Sequence, residues 1–291
     1  MSERPVIVIL GPTAAGKSAL GIALAKRFGG VIISADSRQV YRGLDIGTGK
    51  LPLAARRSIP HYLIDVASPR SQYTVDRFVR DVRRILDTLP QRTPVFLVGG
   101  SPFYIDAVTK PNAYSSVPPN PALRQWLEQL TTAELNRRLK RLDRRRWASI
   151  DHANRRRLIR AIEIAHGDTP APVALPAMRI LKLGLRAPLP KLRRRIDRQI
   201  SARLRAGMIR ETAAAHHRGV SWKRLAALGL EYRVIINHLR DQLPRNAVAP
   251  NMKKVTYDFV RRQLTWWKRD QAIRWVTPHQ AIRAVATFLQ A

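Results

Sequence analysis

Four short apolar runs punctuate the first third of the chain: Val6–Leu10, Val31–Ser34, Tyr62–Val66 and Val95–Val98. Each is rich in β-branched residues and is followed by polar residues or glycine. The stretches between them carry helical periodicity. Strands alternating with helices predict a parallel sheet with helices on both faces, because a parallel strand needs a crossover to reach its neighbour. On such sheets ligands bind beyond the carboxyl ends of the strands. The segments that follow the runs are therefore the candidates for chemistry: Gly11–Ser18, Asp36–Tyr41, Ser68–Tyr73 and Gly99-Gly100-Ser101.

The pattern changes after residue 109. Lys110–Pro121 is rich in Pro, Asn and Ser and reads as a connection. Asn120-Pro121 predicts an N-cap followed by proline at the first helical position. Thr131 and Glu134 have the spacing of a capping box, which opens a helix over Thr132–Leu142. A third helix is predicted over Asn154–His166, with Leu158, Ile162 and Ala165 on one face. Gly167–Pro176 reads as a Pro-rich loop. Arg179–Arg186 returns to strand character, and Leu189 onward reads as helix, with breaks near Gly219, Pro244–Pro250 and Pro278. The organisation expected is an α/β core over 1–109, an inserted helical block over 110–175, and a return to the core over 176–291. No internal repeat is visible.

Charge sharpens this picture. The chain has 53 Lys+Arg against 20 Asp+Glu, a net charge of +33. Residues 1–100 hold 15 basic and 7 acidic residues, a net of +8, which leaves +25 for the remainder. Excess of that size on the helical part points to a polyanion, since Lys and Arg contacts to phosphates drive sequence-independent affinity. The chain has no cysteine, which excludes disulfides, thiolate metal sites and a thiol nucleophile. The histidines, His216-His217 included, show no zinc-ligand spacing. No apolar run approaches the roughly 18 residues of a membrane helix. Met1–Pro5 leads straight into the first strand, so no secretory leader and a cytoplasmic location are expected.

Gly11-Pro12-Thr13-Ala14-Ala15-Gly16-Lys17-Ser18 follows the first strand and opens a helix read from Ala19 to Phe28. That order is the P-loop context: backbone N–H groups and a helix N-terminus face one anion, Lys17 adds a full charge, and the Ser18 hydroxyl suits Mg²⁺. The loop reports a phosphate or pyrophosphate. It does not report which molecule carries it, and a P-loop kinase of a small metabolite or nucleotide is the alternative reading. Asp36, at the end of the second strand, has the position of a general base or a Mg²⁺-shell ligand, and equally of a turn cap. Gly99-Gly100-Ser101 allows close backbone approach and offers a hydroxyl, or is a plain strand-to-helix turn.

The string from Asp36 to Lys50 (Asp-Ser-Arg-Gln-Val-Tyr-Arg-Gly-Leu-Asp-Ile-Gly-Thr-Gly-Lys) is long and specific. With the P-loop, Ile59–Asp65, Val98–Ser101 and Arg262-Gln263-Leu264-Thr265-Trp266, it closely resembles the tRNA dimethylallyltransferases, over essentially Val6 to Trp275. The resemblance implies transfer of a dimethylallyl group from dimethylallyl pyrophosphate to N6 of the adenosine 3′ of the anticodon, in tRNAs reading codons that begin with U. It implies that the P-loop holds the pyrophosphate with Mg²⁺, that Asp36 is the catalytic base, and that Lys17 and Ser101 assist; the family usually has Thr at the Ser101 position. It implies tRNA contacts at Asp36, Ser37, Arg38 and Gln39, at Arg156, Arg157, Leu158, Ile159 and Arg160, and at Gly229, Tyr232 and Arg233. The target base must leave its stack to reach a buried donor. The chain departs from the family at Asp151–Arg155, and at Gln199 and Tyr257, where arginine is usual; Arg195, Arg198 and Arg261 lie near in sequence. Trp266, Trp267 and Trp275 are expected to pack in the core, and a monomer is expected.

Overall fold

The computed structural model describes residues 3–110, 114–167 and 173–290. Residues 111–113, within the expected connection, and 168–172, within the expected Pro-rich loop, lie outside them. The chain divides into two compact units, Met1–Pro111 with Leu175–Ala291, and Asn112–Ala174. The first unit opens with β1 (Arg4–Leu10), α1 (Lys17–Phe28), β2 (Val31–Ser34), α2 (Asp45–Thr48), α3 (Leu53–Arg56), β3 (His61–Tyr62), α4 (Val75–Thr88), β4 (Val95–Val98) and α5 (Pro102–Thr109). The second unit contains α6 (Pro121–Gln129), α7 (Thr132–Leu142), α8 (Arg144–Ser149) and α9 (Arg155–His166). The first unit resumes with β5 (Met178–Leu185), α10 (Leu189–Arg205), α11 (Met208–His217), α12 (Trp222–Leu228), α13 (Leu230–Leu239), α14 (Arg245–Trp267), β6 (Ile273–Val276) and α15 (Pro278–Gln290).

The six strands form one sheet in the order β3-β2-β4-β1-β5-β6, with every pairing parallel. Helices cover both sides, which is why β1, β2 and β4 are buried along their whole length and read as unbroken apolar runs. Ile7, Ile9, Phe96 and Leu183 of the sheet pack with Leu24 of α1 and Val285 of α15. A second cluster joins α10, α13 and α14 through Leu192, Ile196, Ile235, Val248 and Met252. Arg4 opens β1 yet is buried. Its guanidinium donates to the Leu86, Leu89 and Pro90 carbonyls at 2.9, 2.9 and 2.7 Å, the carbonyl-rich end of α4 where a cation is favoured.

Three expectations are corrected at the sheet edges and in the last helices. The run Tyr62–Val66 yields only the two-residue β3; Leu63 and Asp65 turn to positive φ, 61° and 60°, and break the strand. The presumed all-helical tail contains β6, an edge strand with Ile273 and Val276 buried. The break expected over Pro244–Pro250 falls at its start, where Pro244 is the N-cap of α14; Pro250 lies inside that helix, whose Val248 and Met252 anchor it in the core. Of the tryptophans, Trp267 is buried but Trp266 is 37% exposed, and its indole N–H donates to Asp106 at 2.9 Å. Among the described residues no helix is long and apolar enough to cross a membrane.

The second unit folds around its caps. Asn120 accepts from the Leu123 N–H at 2.9 Å with Pro121 as the first helical residue, and Thr131 and Glu134 form the complete capping box. The helix α8, absent from the sequence reading, is capped by Asp143, which accepts from Arg146 N–H at 2.8 Å. Leu127, Leu135, Leu139, Leu158 and Ile162 make the core, whereas Ala165 is exposed. Glu163 is buried beside them. It accepts from Arg124 at 2.5 Å and from the Asn120 N–H at 3.1 Å. Glu163→Ala leaves these donors without their acceptor and is expected to cost this unit roughly 1–3 kcal/mol. Hydrogen exchange should then accelerate across α6, α7 and α9 while β1 and β4 stay protected; unchanged protection in α9 would contradict the role given to Glu163.

Candidate active site

Strand register assembles the site. Ile9 pairs with Val98, and Val98 pairs with Ser34, so β4 and β2 end on one rung and β1 runs one residue past it. Gly11, Gly100 and Asp36 each lie two residues beyond it. The main chain continues the rung: Ala35 N–H donates to Val98 O at 2.8 Å, Gly99 N–H to Ile9 O at 3.1 Å, and Ser101 N–H to Ala35 O at 3.2 Å. A Cβ on Gly99 would stand 2.1 Å from Ala35 O, so only glycine lets these two strand exits touch.

The P-loop is tied down from its outer side. Lys17 Nζ donates to Pro12 O at 2.8 Å, and Arg195 donates to Ala14 O and Ala15 O at 3.2 and 3.4 Å. Gln263 of α14 accepts from Thr13 N–H at 3.0 Å and donates to Gly100 O at 2.7 Å. It thus joins the P-loop to the β4 exit across 250 residues of sequence. The helix α1 begins at Lys17 behind Gly16, with no side-chain cap. Its first N–H groups, with their partial positive charge, are therefore available to an anion. Lys17 is half-buried; desolvation pulls its ammonium down to about 8, against the opposing pull of the Asp36 carboxylate.

Asp36 Oδ1 accepts from the N–H groups of Arg38 and Gln39 at 2.9 and 3.4 Å. The turn-cap role is therefore present, and it orients the carboxylate. The Ser101 hydroxyl accepts from Ser37 N–H at 2.9 Å and donates to Ser37 Oγ at 3.2 Å, placing it beside the Asp36 turn. A groove of about 800 Å³ flanks the loop, lined by Ala14, Gly16, Leu185, Arg195, Arg198 and Gln199. On its other side Ser18, Ser34 and Gln39 share with Ile32 and Val98 a cavity of about 30 Å³, the volume of about one water. An anion cradle and an oriented carboxylate side by side can bind a phosphorylated group and accept a proton next to it.

Comparison with known proteins extends this arrangement. A family model described as IPP transferase matches residues 39–270. The chain belongs to the IPP transferase family. tRNA dimethylallyltransferase 1 of Geotalea uraniireducens is 42% identical over 267 residues, 91% of this chain and 88% of the relative. tRNA dimethylallyltransferase 2 of Citrifermentans bemidjiense is 41% identical over 276 residues, 93% and 90% of the two chains. The crystal structure of the full-length tRNA isopentenylpyrophosphate transferase from Bacillus halodurans superposes with TM-score 0.74 at 27% identity, over 99% of this chain and 97% of that one. A eukaryotic dimethylallyltransferase acting on tRNA shares the fold, with TM-score 0.79 at 22% identity over 95% of this chain and 74% of that one.

Within this IPP transferase, the residues expected to meet RNA fall into distinct environments. Ser37 and Gln39 sit at the Asp36 turn, and Gln39 also reaches Gly49 O at 3.4 Å. Arg38 turns inward and pairs with Glu231 at 2.7 Å. Burial works against both charges, but mutual attraction prevails: the Glu231 carboxyl is held below its ordinary range and the Arg38 guanidinium above. Gly229 is glycine because Arg38 lies over it; a Cβ there would meet Arg38 Cζ at 2.7 Å. Tyr232 is wholly buried, its hydroxyl packed over Gly47, and Arg233 donates to Ala226 O at 3.1 Å. In the second unit Arg156 and Arg157 are exposed. Leu158 and Ile159 belong to the helical core, and Arg160 donates to Val117 O at 2.6 Å.

The departures are also placed. Gln199 lines the groove beside Arg195 and Arg198, Tyr257 donates to Asp197 at 2.5 Å, and Arg261 is paired with Asp258. The sequence reading missed Gln263 as a clamp, Glu231 as the partner of Arg38, and Lys50, which joins Asp45, Asp65 and Tyr41 O at 2.7, 2.5 and 2.6 Å. All three lie in or beside strings quoted for the resemblance, but their partners are fixed only by the fold. Lys17 generates a prediction. Its charged form prevails below about pH 8. Affinity for a prenyl pyrophosphate is expected to be flat below that pH and to fall above it by up to about tenfold per unit. Calorimetric titration across pH checks this; affinity flat to pH 10 would contradict it.

Proposed function

We propose that the chain transfers a dimethylallyl group from dimethylallyl pyrophosphate to N6 of the adenosine just 3′ of the anticodon, in tRNAs that read codons beginning with U. The observation that carries this reading is the shared rung that sets the P-loop, Asp36 and Ser101 side by side. The adenosine N6 attacks the allylic carbon as the carbon–oxygen bond to pyrophosphate breaks, and Asp36 accepts the proton that N6 loses. The products are N6-(dimethylallyl)adenosine and pyrophosphate. Lys17 and the first N–H groups of α1 stabilise charge as it develops on the leaving group, the electrostatic route to faster departure. The hydrogen bonds from Arg38 and Gln39 N–H fix one Asp36 oxygen, and Ser101 holds the turn through Ser37. The relatives give no support to the kinase alternative.

Mg²⁺ fits this donor set. The ion favours few protein ligands, all oxygen, with phosphates and water completing its shell. Ser18 and Ser34 line one small cavity at the loop, and no cluster of three His, Cys, Asp or Glu exists among the described residues. Ser18 would hold the ion, which when bound neutralises pyrophosphate charge. The basic second unit, with Arg156 and Arg157 exposed on α9, is the surface offered to the anticodon arm. A cytoplasmic monomer suits a tRNA substrate and a chain that carries all these groups itself.

Asp36→Asn keeps the acceptor oxygen of the turn and removes the base. Single-turnover transfer to tRNA is expected to fall at least about 100-fold, with donor affinity within about twofold of wild type. A variant with wild-type rate would remove Asp36 from the reaction, and a wild-type protein that prenylates no tRNA would overturn the reading.

A further inference from the structure

Arg42, Arg70 and Arg218 line one surface pocket of about 520 Å³ with Ser68, Gly43 and Glu211. They come from three separate places: the segment after the Asp36 turn, the loop after β3, and the C-cap of α11. None of the three has a carboxylate partner among the described residues. Their side-chain hydrogen bonds go to main-chain carbonyls: Arg42 to Asp65 O at 3.3 Å, and Arg70 to Arg218 O. The one acid in the wall, Glu211, is already spent. Its carboxylate accepts from Asp45, Ile46 and Gly47 N–H at 2.7, 2.8 and 2.8 Å, capping α2. Three like charges converging on one concavity repel each other unless an anion joins them.

A short stretch of chain joins the pocket to the candidate active site. Residues 39–42 lie beside 65–67, with a parallel bridge between Tyr41 and Ala67: Asp65 N–H donates to Gln39 O at 3.1 Å, Ala67 N–H to Val40 O at 2.9 Å, and Arg42 N–H to Ala67 O at 2.9 Å. Six residues separate Asp36 from Arg42, so the pocket rim lies within about 22 Å of the carboxylate along the chain. Guanidinium forks match phosphate oxygens in pairs. Many exposed arginines of this chain, Arg156 and Arg157 among them, stand apart on helix surfaces; these three differ in converging on one concavity.

We infer that the Arg42–Arg70–Arg218 pocket binds a backbone phosphate of the RNA substrate, close to the nucleotide presented to Asp36. The inference rests on the proposed RNA-directed transfer. Such a contact fixes the position of the strand and reads no base.

The double variant Arg42→Ala/Arg218→Ala tests it; Arg70 is left in place because it also holds the loop. Binding of an anticodon stem-loop RNA is measured across a salt titration, with dimethylallyl pyrophosphate affinity alongside. The expected result is an RNA Kd raised roughly tenfold at low salt and a salt slope reduced by about 1. Donor affinity and kcat at saturating RNA stay unchanged. The control Lys26→Ala/Arg92→Ala removes equal charge at the amino end of the sheet and should leave the slope alone. RNA affinity and slope unchanged, in a protein whose wild type binds and prenylates RNA, overturns the pocket and leaves the transferase standing. An equal loss in the control also overturns it, by reducing the effect to overall charge. Loss of inorganic phosphate binding with RNA affinity intact makes it a free-anion site and overturns it too. A wild type that neither binds nor prenylates RNA brings down both readings.

Discussion

The shared rung near the ends of β1, β4 and β2 is the constraint on which the rest of this molecule depends. Parallel register leaves no freedom in where each strand stops, and a slip would move every side chain to the other face. With Ile9, Val98 and Ser34 abreast, the P-loop, the Gly-Gly-Ser turn and the Asp36 turn must leave the sheet as neighbours. Gly99 against Ala35 O closes the last gap, and Gln263 then fastens the first exit to the second from the far end of the chain. The proposed chemistry follows from adjacency: an anion cradle on one exit and a carboxylate on the next.

Charge is arranged on the same logic. The candidate site keeps one half-buried cation, Lys17, whose ammonium is weakened by desolvation; in the proposed reaction an incoming pyrophosphate restores what desolvation removed. Around it the arginines are constrained. Arg195 holds loop carbonyls and Arg38 is neutralised by Glu231. Arg203, packed against Gly49, is lowered by burial and supported by Glu231. Buried pairs of this kind contribute little net stability, yet breaking one leaves an uncompensated charge. Arg38 and Glu231 are therefore best understood as fixing the shape of the turn that carries Asp36. The exposed cations, in contrast, are free to meet a polyanion, which is where the excess of positive charge acts.

What was legible in the sequence was local. β1 and the P-loop announce themselves through a buried run, a Gly-bounded turn and a helix. The caps at Asn120 and Thr131 read correctly because a cap is decided within four residues. The misreadings have physical causes of longer range. Tyr62–Val66 has the composition of a strand, but the turn at Leu63 and Asp65 stops it after two residues. β6 is short, sits at an edge, and is recognisable only from its pairing with β5. Pro250 survives inside α14 because tertiary packing outweighs a local helix penalty. The family string around Asp36 marked Arg38 for RNA, yet its partner Glu231 lies 193 residues away and draws the side chain inward. Likewise Tyr232 and Leu158 stand in strings associated with RNA while their side chains build cores.

The central claim is that one carboxylate and one anion cradle, set on neighbouring strand ends, direct a prenyl group onto an adenosine of tRNA. The most direct measurement is to incubate unmodified tRNA with the pure protein, dimethylallyl pyrophosphate and Mg²⁺, and to locate the modification by nuclease digestion and mass spectrometry. The account predicts N6-(dimethylallyl)adenosine at the single position 3′ of the anticodon. An unmodified tRNA, with the donor bound but untransferred, would contradict it.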